Sequence, residues 1–523
     1  MNRVWSVRWA GVWSAVAILS IGPARSALAQ RTTALSRGLP VACMLADPSC
    51  VPPTVKREFR GIWVASVDNI DWPSRAGLST AAAKRELLTL LDRARSAGLN
   101  AVIFQVRPAG DALYASKLEP WSEYLTGRQG VAPKPAWDPL AFAVLEAHTR
   151  GMELHAWFNP YRARHPSAKG ALSSRHIGRR RPALVKTYGT HLWMDPGEPD
   201  VRAHTVAVIL DVVKRYDVDG VHLDDYFYPY KERGPHGVLI DFPDSGSYAR
   251  YVSSGGTLAR DDWRRDNVDR MVEELYRRIH EMKPGVKFGV SPFGIWRPGF
   301  PVQVRGFDAY AELYADARKW LREGWVDYFA PQLYWPVTQQ AQAFPVLLRW
   351  WAEQNLYGRH IWPGNFSSRV GDGSRVPWLT SEIVSQVEAT RAEAGAGGNI
   401  HFSAKVFLED RDSIATRMAR QSYGATAIVP PSPWLSVAEQ GEPRVEMRRD
   451  ARGAMVARLT PSGSELPRWW LVQVRMASGV WSSTLVRGQV REVPIAAAAD
   501  RVAVRAVDGA AIEGPARVMR RPD

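Results

Sequence analysis

The chain has 523 residues, too many for one ordinary domain and enough for a large domain with a smaller companion. Its formal net charge of +15 suits an anionic partner, but no basic run interleaves with aromatics in a nucleic-acid motif, and RRRP near Arg181 is too short to make one. Tryptophan is in surplus at 22 residues, and the two cysteines precede the first expected strand, which excludes a thiol nucleophile from the region after it.

In chain order, residues 1–29 read as a secretory signal. Arg3 and Arg8 make its basic start, an apolar stretch runs from Trp9 to Gly22, and Ala27-Leu28-Ala29 supplies small cleavage residues. The stretch is short for a membrane span, so cleavage near Gln30 and a secreted or periplasmic location are expected. Residues 30–57 form a linker holding Cys43 and Cys50, which could close a small disulfide loop in an oxidising compartment. Cys43 lies too far past the apolar stretch for lipid attachment.

From 58 to 430 short β-branched and aromatic runs alternate with amphipathic helical patterns. The strands read RGIWVAS (60–66), AVIFQVRP (101–108), ELHAWFNP (153–160) and GVHLDDYF (220–227). KFGVSPFG (287–294), YFAPQLYW (328–335), IWPGNFSS (361–368) and NIHFSAKVF (399–407) follow. AAAKRELLTLLDRARSAG is a helix with Gly98 as its stop, and WDPLAFAVLEAHTRG opens with an Asp-Pro helix start. Eight β-then-α units predict an α/β fold, a (βα)8 TIM barrel. A doubly wound sheet would bring a Gly-rich phosphate loop, and the chain has neither GxGxxG nor a Walker pattern. After Pro430-Pro431-Ser432-Pro433 the helical runs stop. Residues 436–523 alternate in short strands that predict an all-β sandwich resembling a fibronectin type III fold, there to buttress the barrel or bind glycan.

In such a barrel the chemistry sits at the C-terminal strand ends. Asp224 and Asp225 end strand four, a poor place for adjacent carboxylates unless a substrate requires them. Around them the other strand ends and loops bring Gln105, Arg107, Asp111, Tyr114, His155, Trp157, Asn159, Tyr226, Trp296, Gln332, Tyr334 and Trp335. On strands two, three and six the polar and aromatic members are spaced by two and so share a face. Arg107, His155, Asn159, Gln332 and Tyr334 are expected to line a pocket, with Trp157, Trp296 and Trp335 as stacking platforms. Carboxylates among aromatic faces and amides point to glycoside chemistry. A metal held by His155 and the Asp pair is a rival, but neither HxH nor HExxH occurs, and no cofactor is expected. The pair could instead cap the next helix or pair with Arg107.

Seven segments in order, RGIWVASVDNIDWPS, NAVIFQVRPAGDALY, EPWSEYLTG, ELHAWFNPYRA, DGVHLDDYFYPY, KFGVSPFGIWRPG and DYFAPQLYWP, resemble glycosyl-hydrolase-like family ten, also called domain of unknown function 187. The resemblance spans about residues 56–430. It implies an exported TIM-barrel glycosidase that cleaves peptide-free peptidoglycan glycan and is peripheral to the cell envelope, often with a fibronectin-like C-terminal region. The strand-four motif also distantly resembles that of chitinases, where a Glu would stand at Tyr226.

Peptidoglycan sugars carry 2-acetamido groups, whose carbonyl oxygen can attack the anomeric carbon. Asp224 is then expected to orient the acetamido group and Asp225 to act as general acid. Both can face the sugar only if the strand ends or twists at Asp225, because neighbours on a strand point oppositely. The fallback is Asp224 as covalent nucleophile with Asp111 or Glu119 as the acid. The competing function is a non-catalytic cell-wall glycan-binding protein on the same scaffold.

Overall fold

A computed structural model describes residues 50–521 apart from Ser436. The signal, most of the linker and Cys43 lie outside the described residues.

Eight parallel strands form the barrel: β1 (Phe59–Val64), β2 (Ala101–Arg107), β3 (Glu153–Phe158), β4 (Gly220–Leu223), β5 (Lys287–Val290), β6 (Tyr328–Phe329), β7 (His360–Ile361 and Gly364–Asn365) and β8 (Gly398–His401). The two parts of β7 flank Trp362-Pro363, and β7 is the strand that closes the ring. Gly364 N–H donates to Pro331 O of the β6 side at 2.9 Å, and Ile400 N–H donates to Pro363 O at 3.0 Å on the β8 side. Every residue of β1, β2 and β3 is buried, as expected where both faces of a parallel sheet are covered.

A helix follows each strand: α1 (Thr80–Ser96), α2 (Pro139–Thr149), α3 (Pro199–Arg215), α4 (Arg260–Met282), α5 (Ala317–Arg322), α6 (Phe344–Glu353), α7 (Thr380–Ala392) and α8 (Ala404–Leu408). Their starts are set locally. The Ser79 side chain accepts from Ala82 N–H to open α1, and Asp138 accepts from Ala141 N–H to open α2, with Pro139 at the first position. On α1 the residues Ala83, Leu87, Leu90, Leu91 and Ala94 recur at helical spacing and make the buried stripe.

The barrel interior is a chain of hydrogen-bonded rings rather than a purely aliphatic fill. Lys287 Nζ pairs with Glu153 at 2.9 Å, and the other Glu153 oxygen meets His155 Nε2 at 3.0 Å. The Tyr328 hydroxyl joins His155 Nδ1 at 2.9 Å and His222 Nδ1 at 3.0 Å, and Trp63 Nε1 donates to His222 Nε2 at 3.1 Å. Room for these rings comes from glycines. A Cβ at Gly289 would lie 2.1 Å from the Tyr328 ring, and one at Gly220 would lie 2.5 Å from His155 Nδ1.

Beyond the barrel, two antiparallel sheets form a β-sandwich. One pairs Arg444–Arg449, Met455–Thr460 and Glu492–Pro494. The other runs in the order Trp481–Arg487, Trp469–Met476, Ala499–Val507 and Arg517–Arg520. Trp470, Val472, Val502 and Val504 meet Val445, Ala457 and Leu459 in its core. The sandwich packs on the N-terminal end of the barrel. Arg468 Nε donates to Asp219, the residue before β4, at 2.8 Å, and His148 Nε2 meets the other Asp219 oxygen at 2.8 Å. Cys50 is buried beside Ala503 and Val518 of the sandwich.

Candidate active site

At the C-terminal end of the strands lies a cavity of about 370 Å³. Asp224 and Asp225 are the carboxylates that line it among the described residues. The β4 ladder ends at Leu223 and the chain bends at Asp225. That ending removes the strand-alternation conflict, and both side chains reach the cavity.

Each carboxylate is held by neutral donors. Asp224 Oδ2 accepts from Trp157 Nε1 at 3.1 Å and from Asn159 Nδ2, while Oδ1 accepts the Tyr226 N–H at 3.3 Å. Asp225 Oδ2 accepts the Tyr230 hydroxyl, and Gln332 also reaches this carboxyl. Burial raises Asp224 to about 7, with the Arg162 charge opposing the rise and Asp225 adding to it. Burial also raises Asp225, against its hydrogen bonds from Tyr230 and Gln332. A pair of this kind keeps a proton near neutral pH, as a general acid requires.

The walls are aromatic. Trp63 of β1, Trp157 of β3, Tyr226, Tyr230, Phe293, Tyr334, Phe366 and Phe402 surround the pair. Tyr334 stacks on Phe366 with centroids 4.7 Å apart, which fixes one face of the cleft. Gln105 closes the floor. Its Oε1 accepts from Ser66 N–H at 2.8 Å and its Nε2 donates to Asn159 Oδ1 at 2.6 Å. The order of donation is therefore Gln105 to Asn159 to Asp224.

Of the residues singled out from sequence, Gln105, Trp157, Asp224, Asp225, Tyr226, Gln332 and Tyr334 line the cavity. Asn159 does not; it stands behind Asp224. His155 is a correction. It shares a face with Trp157 but sits one layer deeper, bonded to Glu153 and Tyr328 inside the barrel. Arg107 is another. The β2 register slips between Gln105 and Arg107, and its guanidinium turns to Glu119 at 2.6 Å and to the Asn159 carbonyl at 2.6 Å. That pairing also removes Glu119 from the acids available to substrate. Asp111 accepts from Gln129 Nε2 at 3.0 Å and is raised to about 7 by burial, yet it too lies outside the cavity. Tyr114 packs edge-on to Tyr216 at 5.7 Å. Trp296 donates to Asp316 at 2.9 Å and stacks with Trp350, away from the cleft. Trp335 meets the edge of Phe293 at 5.7 Å and so buttresses a wall without forming it.

Sequence reading missed Trp63, Arg162, Tyr230, Phe366 and Phe402 as cavity residues. Trp63 alternates with Gly61 and Phe59 on β1, so the period-two rule applied to that strand would have found it. Arg162, in NPYRA, carried no such signal.

The chain matches the family model described as glycosyl hydrolase-like 10 over residues 58–375. It is 41% identical over 410 residues to the glycosyl hydrolase YngK of Bacillus subtilis, covering 76% of this chain and 79% of that one. It is 35% identical over 394 residues to the glycosyl hydrolase DigH of Escherichia coli, covering 70% of this chain and 88% of that one. Among solved structures, the PgaB (BpsB) glycoside hydrolase domain of Bordetella bronchiseptica aligns over 70% of this chain and 98% of its own, at 14% identity and a TM-score of 0.43.

Proposed function

The chain belongs to the glycosyl hydrolase-like 10 family, and from that premise we propose that it is an exported glycosidase that cleaves peptide-free peptidoglycan glycan with Asp224 and Asp225. One observation carries the reading: the two adjacent acids are the carboxylates lining an aromatic-walled cavity among the described residues, and Asp111 and Glu119 are engaged elsewhere. A two-acid mechanism therefore draws on the strand-four pair.

In the proposed reaction, protonated Asp225 gives its proton to the glycosidic oxygen as the C1–O bond breaks. The 2-acetamido carbonyl oxygen bonds to C1 in the same step. Asp224, fixed by Trp157 and Asn159, accepts the acetamido N–H and balances the positive charge on the resulting oxazolinium. Water then attacks C1 and gives one proton to Asp225, and the oxazolinium ring opens to the acetamido sugar. The stacked Tyr334–Phe366 pair and Trp63 offer faces to the sugar rings. The three-plus-four strand order of the C-terminal sandwich supports a fibronectin type III-like assignment for it.

The test is digestion of peptide-free peptidoglycan strands by wild type, Asp224→Asn and Asp225→Asn, with products identified by mass spectrometry. Short 2-acetamido oligosaccharides from wild type and none from either variant are expected. Equal cleavage by all three would move the chemistry away from the pair. Tight binding without cleavage by wild type would favour a glycan-binding protein.

A further inference from the structure

A second cavity of about 360 Å³ adjoins the first and shares Arg162, His165, Tyr226 and Tyr230 with it. Its other wall carries His191, Lys231 and Glu232. The two spaces are neighbouring stations of one cleft, with the Tyr226 ring and the Arg162 guanidinium at their boundary.

Arg162 is almost fully buried, and its hydrogen bonding is incomplete. Its guanidinium lies over the Tyr226 ring at 4.2 Å, and Nη1 reaches the Pro108 carbonyl at a long 3.5 Å. Nε has no partner. Among the described residues neither Arg162 nor Lys231 forms a direct ion pair, and the anions whose charge Arg162 does feel are Asp224 and Asp225 across the cavity. Glu232, the acid of this wall, is committed to His191 Nδ1 at 2.9 Å. Burial lowers His165 to about 4, so that ring is neutral and accepts or donates without adding charge. A buried guanidinium with a free donor is costly to keep, and its planar fork matches a carboxylate.

We propose that Arg162, assisted by Lys231, binds a free carboxylate on the sugar adjoining the cleaved bond. This inference rests on the glycosidase reading above and names what the site selects. A peptide-free peptidoglycan strand bears an ether-linked carboxylate on every second sugar. When a peptide is attached, that carboxylate becomes a neutral amide, and the fork loses its anionic partner. Removal of the peptide is then read as the appearance of charge at Arg162, as well as a reduction in bulk. A homopolymer of neutral 2-acetamido sugars lacks the group altogether.

The matched substrates for the test are peptide-free peptidoglycan strands and the same strands with carboxyl groups reduced to alcohols. For wild type, kcat/KM is expected to be at least about tenfold higher on the acidic strands. Arg162→Gln also removes a charge that acts on Asp224, so activity falls on both strands, and it is expected to lose the preference: the ratio of kcat/KM on acidic to reduced strands falls to about one. Lys231→Gln, at a half-buried position of the second cavity, is expected to raise KM on acidic strands by about threefold. It carries the test if Arg162→Gln does not fold. Equal kcat/KM on the two substrates in wild type would overturn the proposal, as would an unchanged preference in folded Arg162→Gln or, in its place, Lys231→Gln. If wild type cleaves neither strand, the glycosidase reading has failed. Tryptophan-fluorescence titration with the same two strands then still decides whether the carboxylate is recognised.

Discussion

The two ends of β4 treat the same residue type in opposite ways. Asp219, just before the strand, and Asp224, just after it, are both buried. Asp219 is met by Arg468 from the sandwich and by His148 Nε2, and the Arg468 charge with these hydrogen bonds holds its carboxyl far below the usual range despite burial. Asp224 is met by an indole, an amide and a backbone N–H, and burial lifts it to about 7. The paired carboxylate holds two domains together. The one given neutral donors stands in the cavity beside Asp225, the proposed general acid, and the pair keeps a proton near neutral pH. Burial is common to both, so what separates structural from reactive acid is the partner.

The most severe test of that contrast is chemical. Asp225→Asn is expected to lower kcat on peptide-free glycan by about 10³-fold while the melting temperature is retained or rises, because a general acid is lost and no ion pair is broken. At the other end, Arg468→Ala leaves Asp219 charged, buried and short of a partner. It is expected to destabilise the protein by about 3 kcal/mol, measured by denaturant unfolding, with kcat of the folded enzyme unchanged.

Stability against pH sharpens the comparison further. The folded pKa of Asp224 is raised above its unfolded value, so its contribution is fully present below about pH 4 and is lost as pH rises through about 7. Asp224→Asn removes that loss. The variant is expected to be more stable than wild type at pH 8 by about 1–3 kcal/mol, with the gap closing towards pH 4, in thermal melts across that range. Asp219 has the opposite sign, and the stability it gives is lost only in strong acid. The smallest effect is expected at Asp111. It too is raised to about 7, but it faces Gln129 and not the cavity. Asp111→Asn should leave kcat within about twofold of wild type, since a shifted pKa without access to substrate does no chemistry.

The barrel was legible because its signals are local. Eight β-branched runs, the Asp138-Pro139 start and the change of pattern after Pro433 each depend on neighbours in the chain. The Asp pair was legible because adjacent acids oppose strand formation. The depth of each residue was not. His155 and Trp157 obey the same alternation, yet only the upper one reaches the cavity, because layer height is set by the stagger of the closed barrel. Arg107 was lost to a register slip next to Gln105, which no spacing rule reports. Arg162 lines the site from a short strand, Arg162–Arg164, that pairs with His191–Met194, a partner some thirty residues away in sequence.

The ring-filled barrel interior also bears on how the sequence can drift. With a Cβ at Gly289 only 2.1 Å from Tyr328, and one at Gly220 only 2.5 Å from His155, each glycine and its ring occupy a single shared volume. Neither member can enlarge alone. A lineage that replaces Gly289 must shrink Tyr328 in the same step, and with it surrender the hydroxyl that joins His155 to His222. These positions are therefore expected to vary as pairs, by exchange of whole glycine–ring units.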